Sequence, residues 1–212
     1  MNYSIVLEGV CKSFNNELVL RNIYRKFESG KIHGIIGNNG SGKTVLMKCM
    51  CGFLLPDCGR ILVNNIEVGN DTDFPDDLGI IIETPGFLAN KSGFENLLLL
   101  ASLRKRIGKE EVRHAMQQVG LDSTLKKSVS KYSLGMRQRL GIAQAIMEDP
   151  NLLILDEPFN GLDKLAVSQM RNKIKSLRDN GKTVILSSHN QNDIDELCDT
   201  VCEIDGGEMT LL

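Results

Sequence analysis

Apolar and polar positions change rhythm along this chain, and the changes mark out its elements. Three β-type runs come first, over Tyr3 to Val10, Leu18 to Phe27 and Ile32 to Ile36. The third is almost continuously apolar, the pattern of a strand buried on both faces. A glycine-rich stretch follows it, and then Val45 to Cys51 takes up helical spacing. Arg60 to Val63 and Leu78 to Ile82 predict two more strands. From Ser92 to Met147 the spacing reads as almost wholly helical, opened by a capping box at Ser92 and Glu95. Leu97, Leu100, Ala101 and Leu103 supply one apolar face there; Val112, Met116 and Val119 supply another. Alternation of strand and helix then returns. Leu152 to Leu155 is a strand, Lys164 to Asn180 a helix closed by Gly181, and Thr183 to Leu186 a buried strand. A short helix over Asp193 to Asp199 and a last strand over Val201 to Ile204 complete the pattern.

Strands alternating with helices require right-handed crossovers and a mainly parallel sheet. The reading is one domain over 1–212, with an α/β core at 1–86 and 148–212 and a helical subdomain, about 87–147, inserted between. Hydrophobic residues at 42% and charged residues at 25% are ordinary for a globular protein and exclude long disorder. A net charge of −2 removes any bulk electrostatic case for nucleic acid or acidic membrane. The apolar runs Leu97 to Ala101 and Leu152 to Leu155 fall far short of the ~20 residues that span a bilayer. The first residues reach Glu8 without a basic region, unlike a secretory leader. Six scattered cysteines show no C-x-x-C spacing, so reduced thiols are expected rather than a zinc site. A soluble, cytosolic protein is the expectation.

Function enters with the stretch Gly37, Asn38, Asn39, Gly40, Ser41, Gly42, Lys43, Thr44. It fits G-x-x-x-x-G-K-[ST], with an apolar strand before it and a helix after it, the context that motif needs. Successive backbone N–H groups of such a loop converge on phosphate oxygens, and the helix that follows adds the positive end of its dipole. Lys43 would reach the β- and γ-phosphates, and Thr44 would ligate Mg²⁺. No N-K-x-D string occurs to read guanine, so ATP is favoured.

Downstream, the strand Leu152 to Leu155 ends in Asp156 and Glu157. A buried strand delivers Asp156 to the edge of the sheet beside the phosphate loop, where such an acid holds Mg²⁺ through water. Glu157 then faces the γ-phosphate, placed to orient and deprotonate an attacking water.

The string Tyr132-Ser-Leu-Gly-Met-Arg-Gln-Arg-Leu140 resembles the LSGGQ signature of ATP-binding-cassette ATPases, and it lies just before the Asp156 strand as in that family. Asn160-Gly-Leu-Asp163 looks like the family's D-loop, and His189 in Leu186-Ser-Ser-His189 looks like its switch histidine. Phe14 stands where the family stacks an aromatic on adenine. The resemblance runs from Phe14 to the final strand. It implies an α/β fold: a P-loop NTPase core with a mainly parallel sheet, an N-terminal antiparallel β region and the inserted helical subdomain. It further implies ATP and Mg²⁺ as cofactors, with Glu157 and His189 catalytic. Ser133, Gly135, Met136 and Asp163 would meet the nucleotide bound by a second copy in a head-to-tail homodimer. Ser133 at a helix start reads equally as an N-cap, and the two roles are compatible.

Two motifs depart from the family pattern. Leu134 and Met136 replace a glycine and the glutamine of the signature, and Glu83 stands where a Mg²⁺-linked glutamine is usual. With Thr84-Pro-Gly-Phe87 after it, this pattern is similar to the ATPases of bacterial antibiotic-peptide exporters, including bacitracin- and lantibiotic-resistance types. The resemblance thus implies an ATPase peripheral to the inner face of the cell membrane, powering a separately encoded permease. A second, different ATPase subunit is an alternative to the homodimer. The competing reading is a soluble cassette acting on DNA or ribosomes. It is disfavoured by the short segment between Lys43 and Asp156 and by the presence of one cassette, so no nucleic acid is expected.

Overall fold

A computed structural model describes residues 2–83 and 85–212, the Tyr3 side chain excepted. Thr84 lies outside the described residues. Two sheets organise the chain. β1 (Tyr3–Phe14), β2 (Glu17–Glu28), β4 (Cys58–Val63) and β5 (Ile66–Glu67) form an antiparallel sheet in the order β2-β1-β4-β5. The other sheet joins β3 (Ile32–Ile36), β6 (Leu78–Ile81), β7 (Leu152–Leu155), β8 (Thr183–Ser187), β9 (Thr200–Asp205) and β10 (Glu208–Leu211). Its order is β10-β9-β3-β8-β7-β6, parallel except for the β9–β10 hairpin.

The continuous apolar runs of the parallel strands have a direct cause, because each strand feeds two cores. Leu153, Leu155, Val184 and Leu186 point into one, together with Leu97, Val112 and Met116 of the helical segment. Leu152, Ile154 and Ile185 point into the other, against Phe27, Leu46 and Ile61 of the antiparallel sheet and α1 (Lys43–Met50). Strands buried on both faces have no polar alternation to show.

Between β6 and β7 come α2 (Gly93–Arg104), α3 (Lys109–Gln118) and α4 (Leu134–Ile146). The Ser92–Glu95 capping box opens α2 as the spacing predicts. The segment is less helical than its apolar spacing implies. Gly120, at φ 70°, stops α3, and the Asp122 carboxylate captures Thr124 N–H and Oγ1–H in a local turn. Only a short 3₁₀ turn, Val129–Lys131, follows before α4. Leu103 is 72% exposed rather than part of the apolar face, since it lies well round the helix from buried Leu97 and Ala101.

Two strands escape the hydrophobic pattern, β5 and β10. Each is made by a two-residue hairpin turn with positive φ at both central residues: Asn64 and Asn65 at 50° and 65°, and Gly206 and Gly207 at 55° and 86°. Such turns match the twist of the paired strands, and asparagine and glycine adopt them readily. β9 is therefore followed by an edge strand instead of ending the sheet. After β8, α6 (Gln191–Leu197) begins two residues before the predicted helix, while α5 (Lys164–Asp179) lies close to its predicted span.

Candidate nucleotide site

Strand order decides which residues meet. β3, β8 and β7 are neighbours, so their carboxyl ends deliver the Gly37–Thr44 loop, Ser187–His189 and Asp156–Glu157 to one edge. Ligands of open parallel sheets bind at that edge.

The loop is shaped by its glycines. Gly37 and Gly42 hold φ values of 144° and 105°. A Cβ on Gly37 would lie 2.3 Å from the Ile204 carbonyl oxygen, and one on Gly42 would lie 2.9 Å from the Leu20 side chain. Any larger residue would push the loop off the sheet. Lys43 is buried, and its Nζ donates to the carbonyls of Gly37 and Asn38 at 2.7 and 2.9 Å, folding the cation under the loop. The Ser41 hydroxyl is buried in the loop without a hydrogen-bond partner.

Asp156 is held from both sides. Its Oδ2 accepts from Thr44 Oγ1–H at 2.6 Å, and its Oδ1 accepts from Ser187 Oγ–H at 2.6 Å. Ser187 also accepts the Glu157 backbone N–H at 2.9 Å. Glu157 sits at φ 49°, a left-handed conformation that costs a non-glycine residue roughly 1 kcal/mol or more. Besides Ser187, the Gln138 side-chain amide on α4 fixes it, donating to the Glu157 carbonyl at 3.2 Å. Glu157 Oε1 lies 3.2 Å from His189 Nε2 yet is buried without a partner of hydrogen-bond geometry. Burial raises the Glu157 pKa above its ordinary value, opposed by His189. The result is a carboxylate with a free lone pair beside an imidazole, which is what a base acting on water needs.

His189 is half exposed but its backbone is anchored. Ser188 donates to buried Asp193 at 2.6 Å, and Asp193 is ion-paired with Arg171 of α5. Ser187, Gln138 and this Arg171–Asp193–Ser188 clasp have no local sequence signal, because each depends on strand order or on contact between elements distant in the chain.

A cavity of about 210 Å³ is lined by Asn39, Gly40, Ser41, Gly42, Lys43, Thr44, Asp156, Glu157 and His189, with Val19 and Val45. Phe14 is not in that lining; it is 41% exposed at the end of β1. Glu83 is also outside it, at φ 58°, with its carboxylate on Lys48 Nζ at 2.6 Å. The signature residues lie elsewhere. Ser133 caps α4, accepting Met136 N–H at 3.2 Å, and Asp163 caps α5, accepting Ala166 N–H at 2.8 Å. Ser133, Leu134, Gly135, Met136 and Asp163 line a separate cleft of about 600 Å³.

Thr44 and Asp156 offer hard oxygens side by side, and among the described residues no cluster of three or more metal-binding side chains exists. That donor set suits Mg²⁺, which binds through one or two protein oxygens and otherwise to water and phosphate.

A phosphate-binding loop, a strand-borne acid beside it and a carboxylate aimed past them define a P-loop nucleotide hydrolase. The family model described as "ABC transporter" matches residues 20–160. The chain belongs to that family and is one of its ATP-binding-cassette ATPases. It is 43% identical to a bacitracin transport ATP-binding protein of Enterococcus faecalis, over 95% of this chain and 66% of the relative's length. It is 33% identical to a lantibiotic transport ATP-binding protein of Streptococcus pyogenes, over 97% of this chain and 88% of that one. The fold matches a dimeric ATP-binding cassette in a post-hydrolysis state bound to ADP and Pi, with a TM-score of 0.87, 21% identity and 98% of each chain covered.

Proposed function

We propose that this chain hydrolyses ATP to drive a separately encoded membrane permease that exports a peptide antibiotic or a similar substrate. One observation carries the reading: the phosphate cavity and the signature cleft are two different surfaces of a single chain. Each is half of a site, and two copies arranged head to tail complete both. Ser133, at the positive end of α4, then faces the nucleotide held by the other copy's loop.

In this reading Gly37 to Thr44 bind the phosphates, and Lys43 exchanges its two loop carbonyls for phosphate oxygens. Glu157 takes a proton from the attacking water. His189, held by the Asp193 clasp, stays against Glu157. Thr44 and Asp156 would hold Mg²⁺, which neutralises charge on the phosphates. Glu83 would help hold Mg²⁺ only by leaving Lys48, which would make that pair a point where nucleotide state reaches the surface. Phe14 is assigned to the adenine, Gly135 and Met136 to the partner's nucleotide, and Asp163 to the dimer contact. Residues 87–147 form the subdomain that carries the signature.

No helix of the described residues is long and apolar enough to cross a membrane, and in this reading the permease is a separate chain. Phe53, Leu55 and Phe74, about half exposed and with the two rings 5.9 Å apart, offer it an apolar contact near the end of α1. The chain would then sit on the inner face of the membrane. The similarity to bacitracin and lantibiotic transport proteins supports the cargo class. Purification of the tagged chain in mild detergent should bring down a polytopic membrane protein. Recovery of the chain alone, under conditions that hold a known transporter together, would sink the permease.

A further inference from the structure

The four remaining cysteines are hidden or half hidden, but Cys11 and Cys58 are a pair. They are direct partners in the antiparallel β1–β4 register. Their Sγ atoms each lie 3.7 Å from one acceptor, the Gly9 carbonyl oxygen. The backbone there is drawn tight. β1 shifts register between Glu8 and Cys11, and a Cβ on Gly59 would lie 2.3 Å from that same Gly9 oxygen. Asp57 fastens the neighbourhood by accepting from Lys12 Nζ and Ser13 N–H, both at 2.6 Å, while its own N–H donates to the Cys11 carbonyl. Interaction with Cys11 is the main cause that holds the Cys58 thiol above its ordinary pKa, in keeping with their opposed places in the register.

We propose that Cys11 and Cys58 form a thiol-modification site that reacts with low-molecular-weight disulfides and closes to a cross-strand Cys11–Cys58 bond. Opposed antiparallel residues stand about 4.5–5.5 Å apart at Cα, inside the roughly 4.4–6.8 Å that a disulfide spans, so the pairing of these two residues permits closure. Cys58 is exposed and Cys11 half buried, which sets the order. The Cys58 thiolate attacks one sulfur of RSSR, giving Cys58–S–SR and releasing RS⁻. The Cys11 thiolate then attacks the Cys58 sulfur, forming the Cys11–Cys58 bond and releasing the second RS⁻. The two protons given up by the cysteines end on two RSH; the protein loses two electrons and RSSR gains them.

Selectivity comes from burial. Desolvation pushes the thiols of Cys49 up to about 11 and of Cys51 and Cys198 up to about 12, and Cys202 is buried as well. Their sulfurs are buried or half buried, so a disulfide reaches them less readily than it reaches exposed Cys58. The new bond would tie β4 to the strand that ends at Phe14, three residues beyond Cys11.

The test is treatment of the full chain with oxidised glutathione, followed by intact mass and peptide mapping. The expected product has lost two hydrogens, yields a linked Cys11–Cys58 peptide pair, and returns to starting mass with dithiothreitol. Cys11→Ser should stop at one glutathione adduct on Cys58, and Cys58→Ser should stay unmodified at Cys11. Wild-type chain that remains reduced, keeps a stable adduct without the linked pair, or links any other two cysteines would overturn the proposal. Mapping on the wild type alone decides the matter if a variant fails to fold. Neither ATP binding nor dimer formation enters the readout, so the outcome is independent of the proposed transport role.

Discussion

The two halves of the nucleotide machinery are built to different standards. The phosphate half is finished within one chain: Asp156 accepts from two hydroxyls, Lys43 is buried on two carbonyls, and Glu157 is pinned by Ser187 and Gln138. Both faces of the strands beneath it are packed. The signature half is open. The Ser133 hydroxyl is engaged by its capping bond, and Leu134, 56% exposed, leans on Gly161, where a Cβ would fall 2.4 Å from the Leu134 side chain. A preorganised surface facing an exposed one is what a site divided between copies requires. The first must hold charge without rearranging; the second must remain free to dock.

Breaking the finished half should cost most. Glu157→Gln keeps the shape and removes the base, so ATP turnover should fall by about 10²–10⁴-fold while nucleotide binding persists. Steady-state hydrolysis with a binding titration reads both. Next in size is the core under it. Ile154 is fully buried, and Ile154→Ala should lower unfolding free energy by about 2–5 kcal/mol in denaturant titration. Leu134→Ala, on the open half, should change it by under about 0.5 kcal/mol. Equal losses at the two positions would erase the contrast.

Acidity offers a gentler perturbation. Burial raises the Glu157 pKa, so the base is lost by protonation as pH falls, at a higher pH than for a freely solvated glutamate. Turnover should drop about tenfold per unit below that point. Rates independent of pH down to the usual carboxylate value would remove Glu157 as base. A smaller effect than at Glu157 or Ile154 is expected at Ser133→Ala. Loss of the cap should cost about 1 kcal/mol of stability, with a fall in turnover at saturating protein but little change in ATP affinity of the isolated chain.

What the sequence discloses follows from how local each feature is. The Gly37–Thr44 loop, Asp156 and the both-face burial of β3, β7 and β8 are written in contiguous residues, and they stand where the spacing puts them. The two hairpin strands β5 and β10 were invisible to apolar patterning because their partners, not their own composition, make them strands. Ser187 reaches Asp156 only because β8 lies between β3 and β7, and Gln138 reaches Glu157 only because α4 folds back over β6 and β7. Neither contact has a sequence signal at short range. Leu103 shows the reverse failure: its apolar side chain belongs to a helix face that the core does not use.

In the proposed dimer, one chain's phosphate cavity is completed by another chain's Ser133 cleft. Light scattering on Glu157→Gln tests it most directly, since bound ATP then persists. ATP should double the mass from the 23.5 kDa of one chain, and adding Lys43→Ala should abolish the change. A Glu157→Gln chain that binds ATP at saturation and stays at the mass of a single copy would contradict it.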